Sequence, residues 1–452
     1  MSPPSAAAPS YLGHGTTSLS GRRDEAGTTR EAAELRADAA EGPDRSREST
    51  PWTLRAIYIG VGCSTASIAP FVPVILKARG LAPATIGLAL ALAALLTTVV
   101  VPAWGHVADI VLGRTRAFRI GLLIAAGSAG GLLLDLPLVA IVAMVVSFTI
   151  YASLFLGLSD ALAVVELPAP ERQYGALRAH ASLSYTVALT LVGFLYSWAG
   201  YGMAPWVFLV WAGALFLLVG RVRDRTARFV RARSGAASEL TAGETSGRLG
   251  SIGRAFAVQP RLWIVLVVFA LAFAGMQAGL AFIGIRIVEL GGQPSDVALS
   301  FALSSLTEIP GLVAAGWIGR RLGLRWLFAI SLALYGACIC SWGILPTAIA
   351  INATRLMTGV SFGALTAARV LIVPRLLPER LQATGQVLVM ASTSGLGAVL
   401  GSVLGGVAYG SIGPSAFFAA AGGVAIAGGI ASWFVLSGSV GGRLKTRTTA
   451  PF

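Results

Sequence analysis

From residue 52 onward the chain alternates between long apolar runs and short polar breaks. The runs reach 18 residues or more with few charges, the length a helix needs to cross a bilayer. They predict spans at 54–76, 84–104, 117–135, 137–160, 176–198, 203–220, 262–286, 297–318, 325–344, 347–373, 383–409 and 414–437. The expected fold is an all-α membrane protein of twelve transmembrane helices in two six-helix halves, 51–220 and 262–437. Residues 221–261 form a basic linker rich in Gly and Ser between them, and 438–452 a short tail. Residues 1–50 hold six Arg and eight Asp or Glu but little large apolar content. Such a segment cannot bury enough surface to offset ordering, so a disordered tail is expected. No apolar core precedes Trp52, so the tail is not read as a signal peptide; a start codon assigned too far upstream is the other reading.

Composition changes this picture little. Only 12% of residues are charged, against about 25% in soluble proteins, and 55% are hydrophobic. The net charge of +14 would suggest nucleic acid if it were clustered on a soluble surface. Here the arginines fall in alternate loops instead. Arg114, Arg116, Arg172, Arg320, Arg321, Arg325, Arg375, Arg380 and nine between Arg221 and Arg261 share one side. Lys77, Arg79 and Arg286 fall on the other. The positive-inside bias therefore places both termini in the cytoplasm and argues against a nucleic-acid partner. Cys63, Cys338 and Cys340 lie inside apolar runs, and His14, His106 and His180 are scattered, so no metal site is expected. No nucleotide-binding signature and no Ser-His-Asp pattern occurs, so the chain reads as neither an ATP-driven pump nor an enzyme.

The halves repeat weakly. Pro83-Ala-Thr-Ile-Gly-Leu matches Pro294-Ser-Asp-Val-Ala-Leu, and Gly105 matches Gly316, each 211 residues apart. Tyr174-Gly175 with Ser182 and Ser184 matches Thr384-Gly385 with Ser392 and Ser394 at 210, as Gly200 matches Gly410. Several matches near one offset suggest a duplicated unit, with a binding site between the halves near the midplane.

The run Gly105-His-Val-Ala-Asp109-Ile-Val-Leu-Gly113-Arg114-Thr-Arg116 resembles the loop between helices two and three of the major facilitator superfamily. The resemblance implies a gating loop: a glycine for a tight turn, Asp109 facing a helix end or a basic partner, and basic residues inside. Ile110 replaces a basic residue and the second Gly comes one position late. A second pattern is similar to lactose permease and its relatives, including phenylpropionate permease. Asp160 ends the fourth span, Gly175-x-x-Arg178 follows on the fifth, and Tyr185 stands seven residues beyond. Thr307-Glu308-Ile309-Pro310 and Gln386 resemble the phenylpropionate-permease-like branch. By that resemblance Asp160, Arg178 and Tyr185 bind substrate. Where lactose permease has coupling His and Glu residues, this chain has Thr358 and Ser361, so its coupling machinery is not copied.

Ionisable groups inside hydrocarbon are costly, so each is a functional candidate. Glu308 lies near mid-span in the eighth segment, beside helix-loosening Pro310. A carboxyl at that depth is most readily held neutral, which suits a proton carrier; an interhelical ion pair is the plainer reading. Arg355 can pair with Glu308 or with an anionic substrate. Arg178, Ser182 and Tyr185 share a helix face suited to a hydroxylated or carboxylate solute, unless Arg178 simply pairs with Asp160. Gln277 is expected to line the cavity, Arg369 to snorkel toward the cytoplasm, and Arg286 to pair with Glu289. The expected activity is secondary transport at the bacterial inner membrane by alternating access. It would be proton symport of a sugar, nucleoside or aromatic acid, with proton-coupled export, or a receptor that does not transport, as alternatives. The expected partners are the solute and membrane lipid. The proton gradient takes the place of a cofactor, and the family implies a monomer.

Overall fold

The structure is a computed structural model and describes residues 50–167, 170–222 and 250–437. The tails expected at 1–50 and 438–452 and residues 223–249 of the linker lie outside these, apart from Thr50. All regular structure among the described residues is helical. That follows from the solvent, because hydrocarbon offers no partner for backbone N–H and C=O and a helix satisfies them internally. Ten helical stretches are long and apolar enough to cross a membrane.

The first stretch runs from α1 (Thr50–Ile68) through a single turn at Ala69–Phe71 into α2 (Val72–Ala78). Then come α3 (Pro83–Val107) and α4 (Arg114–Gly131). Next, α5 (Leu138–Ala152) and α6 (Leu154–Glu166) meet at Ser153, followed by α7 (Pro170–Ala199) and α8 (Ala204–Gly220). Beyond residue 249 lie α9 (Leu262–Glu289), α10 (Pro294–Leu322), α11 (Leu324–Trp342) and α12 (Ala348–Leu376). The last stretch is α13 (Gln382–Met390), a π-helical segment at Ala391–Gly397, and α14 (Ala398–Ser437). Helix α4 falls short of a membrane-crossing composition through Arg114, Arg116 and Arg119. Helix α14 is two helices joined at a kink, where Gly413 takes φ 77° and Pro414 follows.

Helix starts follow local chemistry. Pro83 and Pro294 stand at first positions, where the missing N–H costs nothing. The Asp296 carboxylate accepts the Gln293 N–H at 2.8 Å, closing a capping box. Six glycines adopt positive φ: Gly80, Gly113, Gly200, Gly291, Gly323 and Gly413. They form three pairs, 211, 210 and 213 residues apart. The left-handed counterpart of Gly200 is thus Gly413, whereas the sequence pairs it with Gly410.

Apolar stripes such as Leu88, Leu92, Leu95 and Val99 on α3 face outward, as lipid contact requires. Inside, small residues bring helices together. A Cβ on Gly87 would collide with the Ser402 carbonyl, so α3 and α14 touch backbone to backbone. Part of the expected linker is ordered too. Residues 250–258 are helical, Ala255 is fully buried, and the Thr384 hydroxyl donates to Ser251 at 3.2 Å.

Candidate functional site

Helices α10 and α12 run in parallel at a constant register. Arg355 donates from Nε to the Ser300 carbonyl at 3.1 Å. A Cβ on Gly359 would overlap the Ser304 carbonyl, and one on Gly363 the Glu308 carbonyl. Each pair is 55 residues apart, and glycine is what permits the approach. Glu308 is therefore level with Gly363, eight residues beyond Ser300. At 1.5 Å per residue that is about 12 Å from the level of Arg355. A Glu308–Arg355 pair, one of the two readings for Arg355, does not form, because the two lie two turns apart along the bundle.

Arg355 is 2% exposed. Its Nη1 donates to Thr358 Oγ1 at 3.1 Å and Tyr335 Oη at 3.5 Å, and its guanidinium lies 5.6 Å from the rings of Phe301 and Trp342. Hydroxyls, a carbonyl and π faces thus stand in for a carboxylate. Glu308 is half-buried and, among the described residues, has neither ion pair nor hydrogen bond. Half-buried Tyr185 lies within electrostatic reach of both Glu308 and Arg355. One residue on, Thr186 Oγ1 donates to Ser305 Oγ at 3.3 Å, tying α7 to α10.

Asp160 and Arg178 stand apart from this group. Arg178 Nη1 meets Asp160 Oδ2 at 2.5 Å, and Tyr58 Oη donates to Asp160 Oδ1 at 2.7 Å. The triad joins α1, α6 and α7, so the face that Arg178, Ser182 and Tyr185 share in sequence divides. Its lower part holds helices together and its upper part faces Glu308. The side chains of Arg178 and Asp160 are 40% and 27% exposed. Partial hydration weakens such a pair below a fully buried one. Arg178→Met and Asp160→Asn should each lower the melting temperature in detergent, while the double variant costs less than their sum. Strict additivity in that cycle would show that the pair contributes nothing.

The loop motif differs from its expected geometry. Gly105 lies inside α3, which continues through a π-helical turn at Ala108–Leu112. The tight turn belongs to Gly113, at φ 79°. Arg114 pairs with Asp109 at 2.8 Å and also donates to the Ala161 carbonyl at 2.7 Å, beside Asp160. Arg116 is exposed. Two further expectations fail. Glu289 accepts from Tyr409 Oη at 2.6 Å, leaving Arg286 to donate to the Trp342 and Gly343 carbonyls at the end of α11. Arg369 reaches inward to Thr393 Oγ1 at 2.9 Å instead of toward a membrane surface.

Between the helices lies a cavity of about 660 Å³, lined from α2, α3, α5, α9, α10, α14, the Ala69–Phe71 turn, the Ser153 break and the end of α13 with its π segment. Its polar groups are Thr97, Thr98, Thr149, Ser153, Gln277, Ser394 and Ser402, and no charged side chain lines it among the described residues. Gln277 is the one of the four sequence-derived substrate candidates in its wall. The threonines and serines escape a reading of the sequence because single hydroxyls inside apolar runs carry no distinguishing pattern. Their one signal is recurrence at helical spacing, as in Ser394 and Ser402.

Membrane-crossing helices around a mainly apolar cavity with seven polar side chains in its wall suit a solute transporter, and known proteins bear this out. The chain belongs to the MFS_1 like family, whose model matches residues 51–420. It is 28% identical over 331 residues to a maltose permease of Geobacillus stearothermophilus, covering 72% of this chain and 79% of the relative. Its fold is similar to the crystal structure of the nucleoside transporter NupG, with a TM-score of 0.74 at 15% identity over 86% of this chain and 99% of that one. It is also similar to the crystal structure of the peptide transporter POT in complex with sulfate, with a TM-score of 0.62 at 14% identity over 86% and 94%. The chain is thus a multi-pass membrane transporter of the major facilitator type.

Proposed function

We propose that this transporter imports a neutral, hydroxyl-bearing solute of mono- or disaccharide size by proton symport, with Glu308 carrying the proton. The observation that carries this is the cavity: its volume suits such a solute, and its polar wall is hydroxyls and one amide without a charge. Hydroxyl groups exchange donors and acceptors with Ser, Thr and Gln alike, whereas a carboxylate solute would meet no cation there. The similarity to a sugar permease supports the same class. Glu308, unpaired among the described residues and two turns along α10 from the cavity residue Phe301, is free to change protonation without breaking a contact.

The topology belongs to the same proposal. Counting α4 as a crossing and α14 as part of two gives twelve, six before residue 222 and six after 261. The paired left-handed glycines support the repeat, and the arginine bias supports a bacterial inner-membrane protein with both ends in the cytoplasm. Contacts between the two groups cluster toward one side. Ser295 donates its N–H to Ser197 Oγ at 2.9 Å, and Gly406 lies against Pro83. That side is the outer one, so the cavity opens inward in this conformation, one end of an alternating-access cycle.

The test is uptake into proteoliposomes under an inward proton gradient, with radiolabelled maltose, glucose, uridine and phenylpropionate. Accumulation of maltose, glucose or uridine that collapses with a protonophore is expected. Accumulation of phenylpropionate alone would overturn the neutral class. Solute extrusion coupled to proton entry would replace import by export.

A further inference from the structure

We propose that Arg369 is a positioning residue for the solute cavity: through Thr393 it fixes the π-helical segment whose next residues, Ser394 and Gly395, form the cavity wall. The proposal rests on the reading of that cavity as the solute site. Ala391–Gly397 is seven residues of π-helix inside the long apolar stretch Glu379–Ser437. Such turns are rare and are frequent at functional sites. Outside support is visible on two sides. Ser392 donates from Oγ to the Leu266 carbonyl, tying the segment to α9. Thr393, fully buried, uses its hydroxyl twice: it donates to the Val389 carbonyl at 2.8 Å and accepts from Arg369 at 2.9 Å.

The cavity-facing residues Ala391, Ser394 and Gly395 alternate with these anchored ones. On the far side Gly395 stands against Thr98, whose hydroxyl a Cβ at 395 would approach to 3.3 Å. Ser394 and Thr98 therefore meet the solute at a seam whose width is set by the position of the segment. Arg369 has no carboxylate partner among the described residues, and its guanidinium lies 5.7 Å from the Phe273 ring. It sits six residues beyond Gly363 on α12, about 9 Å along the axis from the level of Glu308, and it bonds toward the π segment. Its role is thus separable from proton carriage.

Two readouts test this on the full chain in liposomes. Arg369→Met should raise the half-saturation concentration of maltose counterflow by roughly tenfold, the size of one charged hydrogen bond. The saturated rate should stay within about twofold. Thr393→Val should reproduce the shift, the double variant should add nothing, and Arg369→Lys should restore part of it. The second readout needs no transport. With Cys63, Cys338 and Cys340 replaced by Ala, Ser394→Cys is alkylated by a membrane-permeant maleimide, and Arg369→Met should change that rate severalfold. Unchanged half-saturation with unchanged alkylation would overturn the proposal. Changed alkylation in a protein that moves none of maltose, glucose or uridine would uphold the positioning and reject the neutral-solute reading instead.

Discussion

Glu308→Gln is expected to abolish uphill uptake while sparing exchange. With one proton per solute, an inward gradient of about two pH units supports about 100-fold accumulation, and the variant should fall to about 1-fold. Counterflow, which needs no net proton movement, should stay within a few-fold of the parent. The fold should be untouched, because glutamine keeps the size of the side chain and Glu308 has no described partner to lose. This separates loss of coupling from loss of structure. Glu308→Asp, which keeps a carboxyl one carbon shorter, should retain part of the accumulation. If the glutamine variant still concentrates solute against its gradient, the proton travels elsewhere and Glu308 is a packing residue.

Arg355 sharpens the point. A fully buried guanidinium with no acid paired to it among the described residues is costly in hydrocarbon, and two aromatic faces with three oxygens offset only part of that. Glu308, the proposed proton carrier, lies two turns away. If Glu308 carries the proton as proposed, its uptake alters the net charge of the α10–α12 pair without forming or breaking a bond between them. Tyr185 of α7 lies within electrostatic reach of both from across the interface between the two groups of helices.

Much of the fold is legible in the sequence because hydrocarbon enforces one rule on every span. A long apolar run is a helix, and its arginines mark a side. The expected starts at 84 and 297 fall within three residues of Pro83 and Pro294. The end of the linker is less legible, because Ala255 and Phe256 in a basic stretch give a weak apolar signal. The site is harder still. Spacing on one helix puts Arg178 and Tyr185 on one face, but what each meets depends on other helices: Tyr58 and Asp160 for one, α10 for the other. Charge at depth marks Arg355 and Glu308 as neighbours, yet a 55-residue register set by glycine contacts keeps them apart. The cavity wall is nearly silent in sequence, since it is built from Ser, Thr and Ala that any membrane helix can carry.

That register is itself testable, and Gly363→Leu should give a large stability loss. A Cβ at 363 would overlap the Glu308 carbonyl oxygen and lie 2.7 Å from the Leu312 amide nitrogen. Both are backbone atoms of one helix and cannot rotate away, so α10 and α12 must part along their length. Overpacking of a core costs about 1–3 kcal/mol where side chains can adjust, and here they cannot. Helix association in lipid rests on such packing, with no hydrophobic gain between helices to compensate. A loss on the order of 3 kcal/mol or more is therefore expected, seen as a lower melting temperature and reduced monodisperse yield in detergent. Gly311→Leu, whose Cβ would overlap the Val360 carbonyl, should behave alike. Gly127→Leu is the control, because nothing lies within 4 Å of a Cβ there. Transport should fall with stability in Gly363→Leu and without it in Glu308→Gln, which divides the two duties of one short stretch of α10. A Gly363→Leu protein that melts with the control would mean that the helices tolerate separation, and that the depth of Glu308 relative to Arg355 is not fixed by glycine contact.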